Sequence, residues 1–141
     1  MKRRKIRSLS VSEIGMGCMG FSHGYGQVPG AGYAEEAIRE AFGYGCNFFD
    51  TAEGYGKELY YPGHNEEIVG RAVRGFRNEV VIATKLHIRP EAVEDCGSVY
   101  AAIRRHLERS LKNLQTDNVD LYYLHRINME VDYLEVAHAM G

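Results

Sequence analysis

The stretch EIGMGCMGFSHGYGQ, Glu13 to Gln27, carries the spacing G-x-G-x-x-G on Gly15, Gly17 and Gly20. A dinucleotide-binding turn of that spacing must open straight into a helix, because the helix's first N–H groups hold the pyrophosphate. Here the chain runs on through Gly24, Gly26, Pro29, Gly30 and Gly32, a composition that starts a helix poorly. The ribose-binding carboxylate expected ~20 residues later is offered only weakly, by Glu35 and Glu36. The stretch is therefore not read as a Rossmann turn, and the fold has to be found in what flanks it.

Working outward, the apolar pattern alternates between two kinds of segment. "VVIATK" (Val80–Lys85) and "VDLYYLHR" (Val119–Arg126) are short, continuous and rich in β-branched or aromatic residues, as strands buried on both faces are. "NFFDTA" (Asn47–Ala52) is a third strand and "EIGMGC" (Glu13–Cys18) a weaker fourth. Helical patterns lie between them. Ala34, Ala37, Ile38, Ala41 and Phe42 make one apolar face, with Gly43 and Gly45 as a stop. Asn65 is expected to cap a second helix, with Glu66 and Glu67 in its first turn and Ile68, Val69, Ala72 and Val73 on its inner side. Ser98 is expected to cap the longest, whose stripe is Val99, Ile103, Leu107, Leu111 and Leu114 and whose outer face pairs Glu108 with Lys112. A last helix is expected from near Val131 to the end. Strand and helix alternate about four times, which predicts parallel strands with right-handed crossovers and hence an α/β fold. Lys2–Ser12 precedes the first unit and predicts a short hairpin, either closing the bottom of a barrel or extending a sheet edge.

Composition narrows the function classes. With 141 residues and 45% apolar content, a single domain over 1–141 is expected. A net charge of -2 and a pI near 6.3 give no electrostatic footprint for nucleic acid or an anionic membrane surface. The basic run Lys2–Lys5 is short and reads as a solvated strand. No apolar segment approaches the ~20 residues of a membrane span, and no apolar core of a signal peptide follows the basic start. Cys18, Cys46 and Cys96 form no disulfide framework, which fits a reducing, cytoplasmic setting. The scattered histidines have no zinc-ligand spacing, so no metal is expected.

The reactive side chains fall at strand ends. Asp50 lies at the C-terminal end of one expected strand, Lys85 ends the next, and His125 ends the one after. Tyr55 sits in the loop directly above Asp50. In a parallel sheet or barrel the C-terminal strand ends share one mouth, where ligands bind, so these four groups should converge. Carbonyl reduction suits them. Hydride delivery to a carbonyl carbon leaves charge on oxygen, and a proton donor must stand ready. A free phenol, with a pKa of ~10, is a sluggish acid at neutral pH, and a nearby ammonium makes it a better one. A carboxylate keeps the ammonium charged and aimed, and an imidazole can orient the carbonyl and help relay the proton.

With these residues in place, the chain resembles the N-terminal half of an aldo-keto reductase, a family of (β/α)8 barrels that reduce carbonyls with NADPH. The motifs are "IGMGCMGFSHGYG", "GCNFFDTAEGYG", "NEEIVGRAV", "VVIATK" and "SLKNLQTDNVDLYYLHR", in the family's order. The resemblance implies a TIM-barrel type of fold with about four of its eight units present. It places the family's catalytic tetrad on Asp50, Tyr55, Lys85 and His125. It also implies NADPH as cofactor, with Gly17, Cys18, Met19 and Asp50 beside it, and a small-molecule carbonyl as substrate. The glycines of the opening stretch would then let backbone pass close to the nicotinamide.

Two segments depart from the family pattern: the loop Gly56–Asn65 is longer than usual, and the segment after Lys85 is shorter. A half barrel would leave edge strands that invite pairing. The expected outcomes are a piece of a longer protein, self-association that rebuilds a barrel, or a rearranged open sheet. Two other functional readings stand beside the reductase: a non-catalytic module similar to the reductase-like β-subunits of potassium channels, and an inactive truncated product.

Overall fold

The computed structural model describes residues 1–24 and 26–141. Tyr25, in the glycine-rich stretch, lies outside the described residues. The chain opens with an antiparallel hairpin of β1 (Arg3–Ile6) and β2 (Leu9–Ser12). A four-stranded parallel sheet follows in chain order: β3 (Met16–Gly17), β4 (Phe48–Asp50), β5 (Val81–Leu86) and β6 (Leu121–Leu124). Among the described residues five α-helices cover it: α1 (Ala31–Gly43), α2 (His64–Val73), α3 (Pro90–Cys96), α4 (Val99–Leu114) and α5 (Tyr133–Met140). This is the α/β alternation expected from the sequence, with consecutive strands adjacent. Gly20 falls in a 3-10 turn (Met19–Phe21), and the first α-helix starts at Ala31. Among the described residues no α-helix opens on the G-x-G-x-x-G spacing.

The hairpin is a separate two-stranded sheet. Asn47, just before β4, fastens it: its Oδ1 accepts from the Ser12 N–H at 2.6 Å, and its Nδ2 donates to the Ser10 carbonyl at 3.0 Å. Asn47 stands at the N-terminal end of the parallel strands, so the hairpin closes the bottom of the sheet. It does not extend an edge.

Two apolar clusters hold the layers together. One packs Ile38, Phe49, Ile68, Val69, Ile82 and Leu114 between the sheet and α1, α2 and α4. The other gathers Leu86, Ile88, Val99, Ile103 and Val136 under α4 and α5. Burying each such side chain stabilises the fold by ~1.5–3 kcal/mol before entropy is set against it. β5 lies in the middle, with Val81–Thr84 and Leu86 all buried. β6 pairs only with β5 and is mostly half-buried, so the expectation that both strands are covered on both faces holds for β5 alone.

Several local expectations are corrected. Asn65 does not cap α2. Gly63 occupies that position at φ 92°, and Asn65 is fully buried inside the helix, where its side chain serves other partners. Glu108 pairs with Arg104 at 2.9 Å and not with Lys112, since an exposed carboxylate on a helix can choose between partners at i−4 and i+4. α3 was not expected at all, although Pro90 in its first turn and Gly97 just past its end are the usual boundary residues. Ser98 does cap α4, accepting from the Ala101 N–H at 3.2 Å. The last helix begins at Tyr133, with Asp132 as its cap. Among the described residues, no helix is long and apolar enough to cross a membrane.

Candidate active site

The three strand ends named in the sequence do share one mouth. Backbone bonds continue the ladder just past the strands: Thr51 N–H to the Ala83 carbonyl at 2.9 Å, and His125 N–H to the Leu86 carbonyl at 2.8 Å. Register sets Gly17 opposite Asp50, and Asp50 opposite Ala83. Lys85 therefore projects beside the end of β4. Its Nζ donates to Asp50 Oδ1 at 2.5 Å, to the Thr51 carbonyl at 2.7 Å and to Tyr55 Oη at 3.1 Å. Three oxygens saturate the three donors of an ammonium and leave it one direction to point. The Tyr55 ring meets His125 edge-on, with centroids 5.4 Å apart. Asp50, Tyr55, Lys85 and His125 are thus brought into one cluster, 75 positions apart in sequence at the extreme.

The electrostatics of His125 follow from its neighbours. Burial and the nearby charges of Lys85 and Arg126 hold its imidazole below the usual histidine range, against a smaller opposing effect of Asp50. Near neutral pH the ring is uncharged and can donate from one nitrogen while accepting at the other. The sign for stability follows. As pH falls below the ordinary histidine value of 6.5, the unfolded chain takes the proton before the folded one, so this group withdraws stability on acidification and contributes nothing above that range. An NMR titration should place the His125 midpoint below 6.5; a midpoint at or above it would contradict the assigned environment.

The expected cofactor neighbours are not alike. Gly17 is exposed, and a Cβ built there would meet no atom within 4 Å, so the strand end forms an open shelf opposite Asp50. Met19 lines the adjoining cleft. Cys18 is fully buried, its N–H donating to the Asp50 carbonyl at 2.8 Å and its carbonyl accepting from Asn65 Nδ2 at 2.9 Å. Burial pushes its thiol up to about 12. Cys18 supports the shelf from behind and has no surface of its own to offer a ligand.

Two residues to which the sequence assigned no role at the site, Asn65 and Glu53, hold the loop bearing Tyr55. Asn65 Oδ1 accepts from Thr51 Oγ1 at 2.6 Å, and its amide donates to Ser22 Oγ at 2.8 Å, tying β4, α2 and the glycine-rich turn together. Glu53 accepts from the His87 N–H at 2.7 Å and bonds His106 Nδ1 at 2.7 Å, pinning the same loop to α4. The partners of Glu53 lie 34 and 53 residues away and those of Asn65 lie 14 to 47 away, so no local pattern announces them. Above the cluster opens a cleft of about 540 Å³, lined by Tyr55, His125 and several basic side chains. Among the described residues no group of His, Cys, Asp or Glu is placed to hold a metal.

Comparison with known proteins agrees with this geometry. The model of the aldo/keto reductase family matches residues 13–141. An uncharacterised oxidoreductase of Bacillus subtilis, YqkF, is 36% identical over 99% of this chain and 44% of its own length. The aldo-keto reductase yakc [NADP(+)] of Schizosaccharomyces pombe is 36% identical over 97% of this chain and 40% of its own. Among solved structures, aldo-keto reductase AKR11C1 from Bacillus halodurans superposes with a TM-score of 0.78 at 32% identity, over 99% of this chain and 45% of that one. The aldo-keto reductase from Klebsiella pneumoniae in complex with NADPH gives 0.76 at 31% identity, over 99% and 45%. The chain therefore spans less than half the length of the curated relatives it matches. From the strand-end cluster and these likenesses together, the chain belongs to the aldo/keto reductase family.

Proposed function

We propose that this chain carries the proton-transfer half of an NADPH-dependent carbonyl reductase, converting an aldehyde or ketone to an alcohol. The observation that carries the reading is the contact of Lys85 Nζ with both Asp50 and Tyr55 Oη. Family membership and the NADPH complex of the Klebsiella relative support the choice of cofactor. The open shelf at Gly17, opposite Asp50, fits a flat group lying against backbone, since any side chain there would fill the space. Gly17, Met19 and Asp50 would line it. A reduced nicotinamide supplies the hydride that the carbonyl carbon takes up.

The chain's own residues manage the oxygen. As the carbonyl carbon gains a hydride, its oxygen gains an electron pair and must take a proton. Tyr55 Oη donates that proton, and the ammonium of Lys85, 3.1 Å away, stabilises the oxygen it leaves behind. Asp50 keeps the ammonium charged and fixed. His125, uncharged and edge-on to Tyr55, can donate a hydrogen bond to the substrate oxygen and hold the carbonyl toward the phenol.

The test is aldehyde-dependent consumption of NADPH by the purified chain, read by absorbance, beside the Lys85→Met variant. The parent should turn over. The variant should lose ~10²-fold or more in kcat, the scale of one preorganised electrostatic contact. Tyr55→Phe added to Lys85→Met should cost little further, because the two residues act as a unit. Absence of turnover in the parent, or full turnover in the variant, would overturn the proposal.

A further inference from the structure

The cleft over the tetrad has a sign of its own. Its lining carries Lys57, Arg89, Arg109 and Arg126 against Glu53 and Glu58, on a chain whose net charge is -2. The two carboxylates are engaged: Glu58 lies 3.7 Å from Lys57, and Glu53 holds the His87 N–H and His106. Five of the arginines elsewhere, Arg4, Arg39, Arg71, Arg77 and Arg104, have acidic partners, while Arg74 and Arg105 bond the side chains of Gln115 and Cys96. Arg89, Arg109 and Arg126 form no ion pair or side-chain hydrogen bond among the described residues. Three unpartnered guanidinium groups from three different segments thus face one cleft, beside Tyr55 and His125. Like charges set together in a concave wall raise the local potential and attract an anion, and the guanidinium fork matches carboxylate and phosphate oxygens.

We propose that the cleft selects carbonyl compounds bearing a second, anionic group, whose oxygens Arg89, Arg109 and Arg126 hold while the carbonyl lies at Tyr55 and His125. This rests on the carbonyl-reduction reading for the identity of the reacting group, but the anion site can be tested without turnover. The first probe is glutarate, which cannot be reduced, titrated into the purified chain by calorimetry beside its neutral dimethyl ester. Glutarate should bind in preference to the ester and weaken as salt rises. The double variant Arg109→Gln/Arg126→Gln should weaken it about tenfold or more, the scale of charge-assisted hydrogen bonds. Equal binding of glutarate and ester, or unaltered glutarate binding by the variant, would overturn the proposal. Glycerol 3-phosphate titrated beside glycerol distinguishes the two sources of negative charge: tighter binding than glutarate makes the anion a phosphate, weaker binding a carboxylate.

Kinetics supply the second arm. With NADPH, 4-oxobutanoate should show a lower KM than methyl 4-oxobutanoate, and the double variant should lose that advantage. Equal KM values for the two in the parent would overturn the proposal. If neither aldehyde is reduced while glutarate still binds through the arginines, the anion site stands and the reductase reading falls.

Discussion

Tyr55→Phe is expected to lower carbonyl-dependent NADPH consumption ~10²- to 10⁴-fold, the usual contribution of a positioned general acid. The substitution removes one oxygen and keeps the ring, so the edge-on contact with His125 is preserved. Lys85 retains two of its three acceptors, Asp50 and the Thr51 carbonyl, and should stay in place. Cofactor affinity should therefore be unchanged, because among the described residues the phenol oxygen's hydrogen bond is to Lys85 and not to Gly17, Met19 or Asp50. Steady-state kinetics beside a fluorescence titration with NADPH separate the two effects. Undiminished turnover in Tyr55→Phe would remove the assigned proton donor. Loss of cofactor binding in the same variant would instead mean that the hydroxyl supports the shelf.

The largest stability effect should come from a glycine. Gly70 lies in α2 where that helix crosses the end of α4, and a Cβ there would stand 2.6 Å from the carbonyl carbon and 2.8 Å from the Cα of Leu114. Both are backbone atoms, so no side-chain rotation relieves the clash. Only a shift of one helix against the other can. Gly70→Ala should destabilise by ~2–3 kcal/mol, the strain of overpacking a well-filled interior, despite the ~1 kcal/mol that alanine gains in a helix. Gly32→Ala in α1 is the control, since a Cβ there meets nothing within 4 Å and the same substitution should be neutral or stabilising. Chemical denaturation of both variants decides the matter. Equal midpoints would show that α2 and α4 separate freely at that contact.

Much of the fold was legible because its determinants are local. A continuous run of apolar residues in β5, an apolar stripe capped by Ser98 in α4, and glycines at the end of α1 each act within a few residues. The tetrad was legible for a related reason: parallel strands of an α/β fold end at one mouth, so a reactive residue at each strand end is already placed. Asn65 shows where that reasoning stops. Its position before an apolar helical run made it look like a cap, yet the three groups it bonds, on Thr51, Ser22 and Cys18, come from other parts of the chain. Glu66, one residue on, does lie in the first turn of α2 as expected, but the sequence says nothing of its surroundings. It is fully buried, burial pushes its carboxyl above the ordinary range, and Thr84 and Asn113 hold it.

By itself, the sequence determined the order of strands and helices and the residues delivered to the strand ends, because periodicity and capping act over one or two turns. The tertiary structure alone decided the close crossing at Gly70, the clamping of the Tyr55 loop by Asn65 and Glu53, and the positive sign of the cleft. Each of these depends on groups tens of residues apart meeting within a few ångströms. Steric contact and hydrogen bonding act at short range and Coulomb forces over little more, so distance in space governs them and distance along the chain does not.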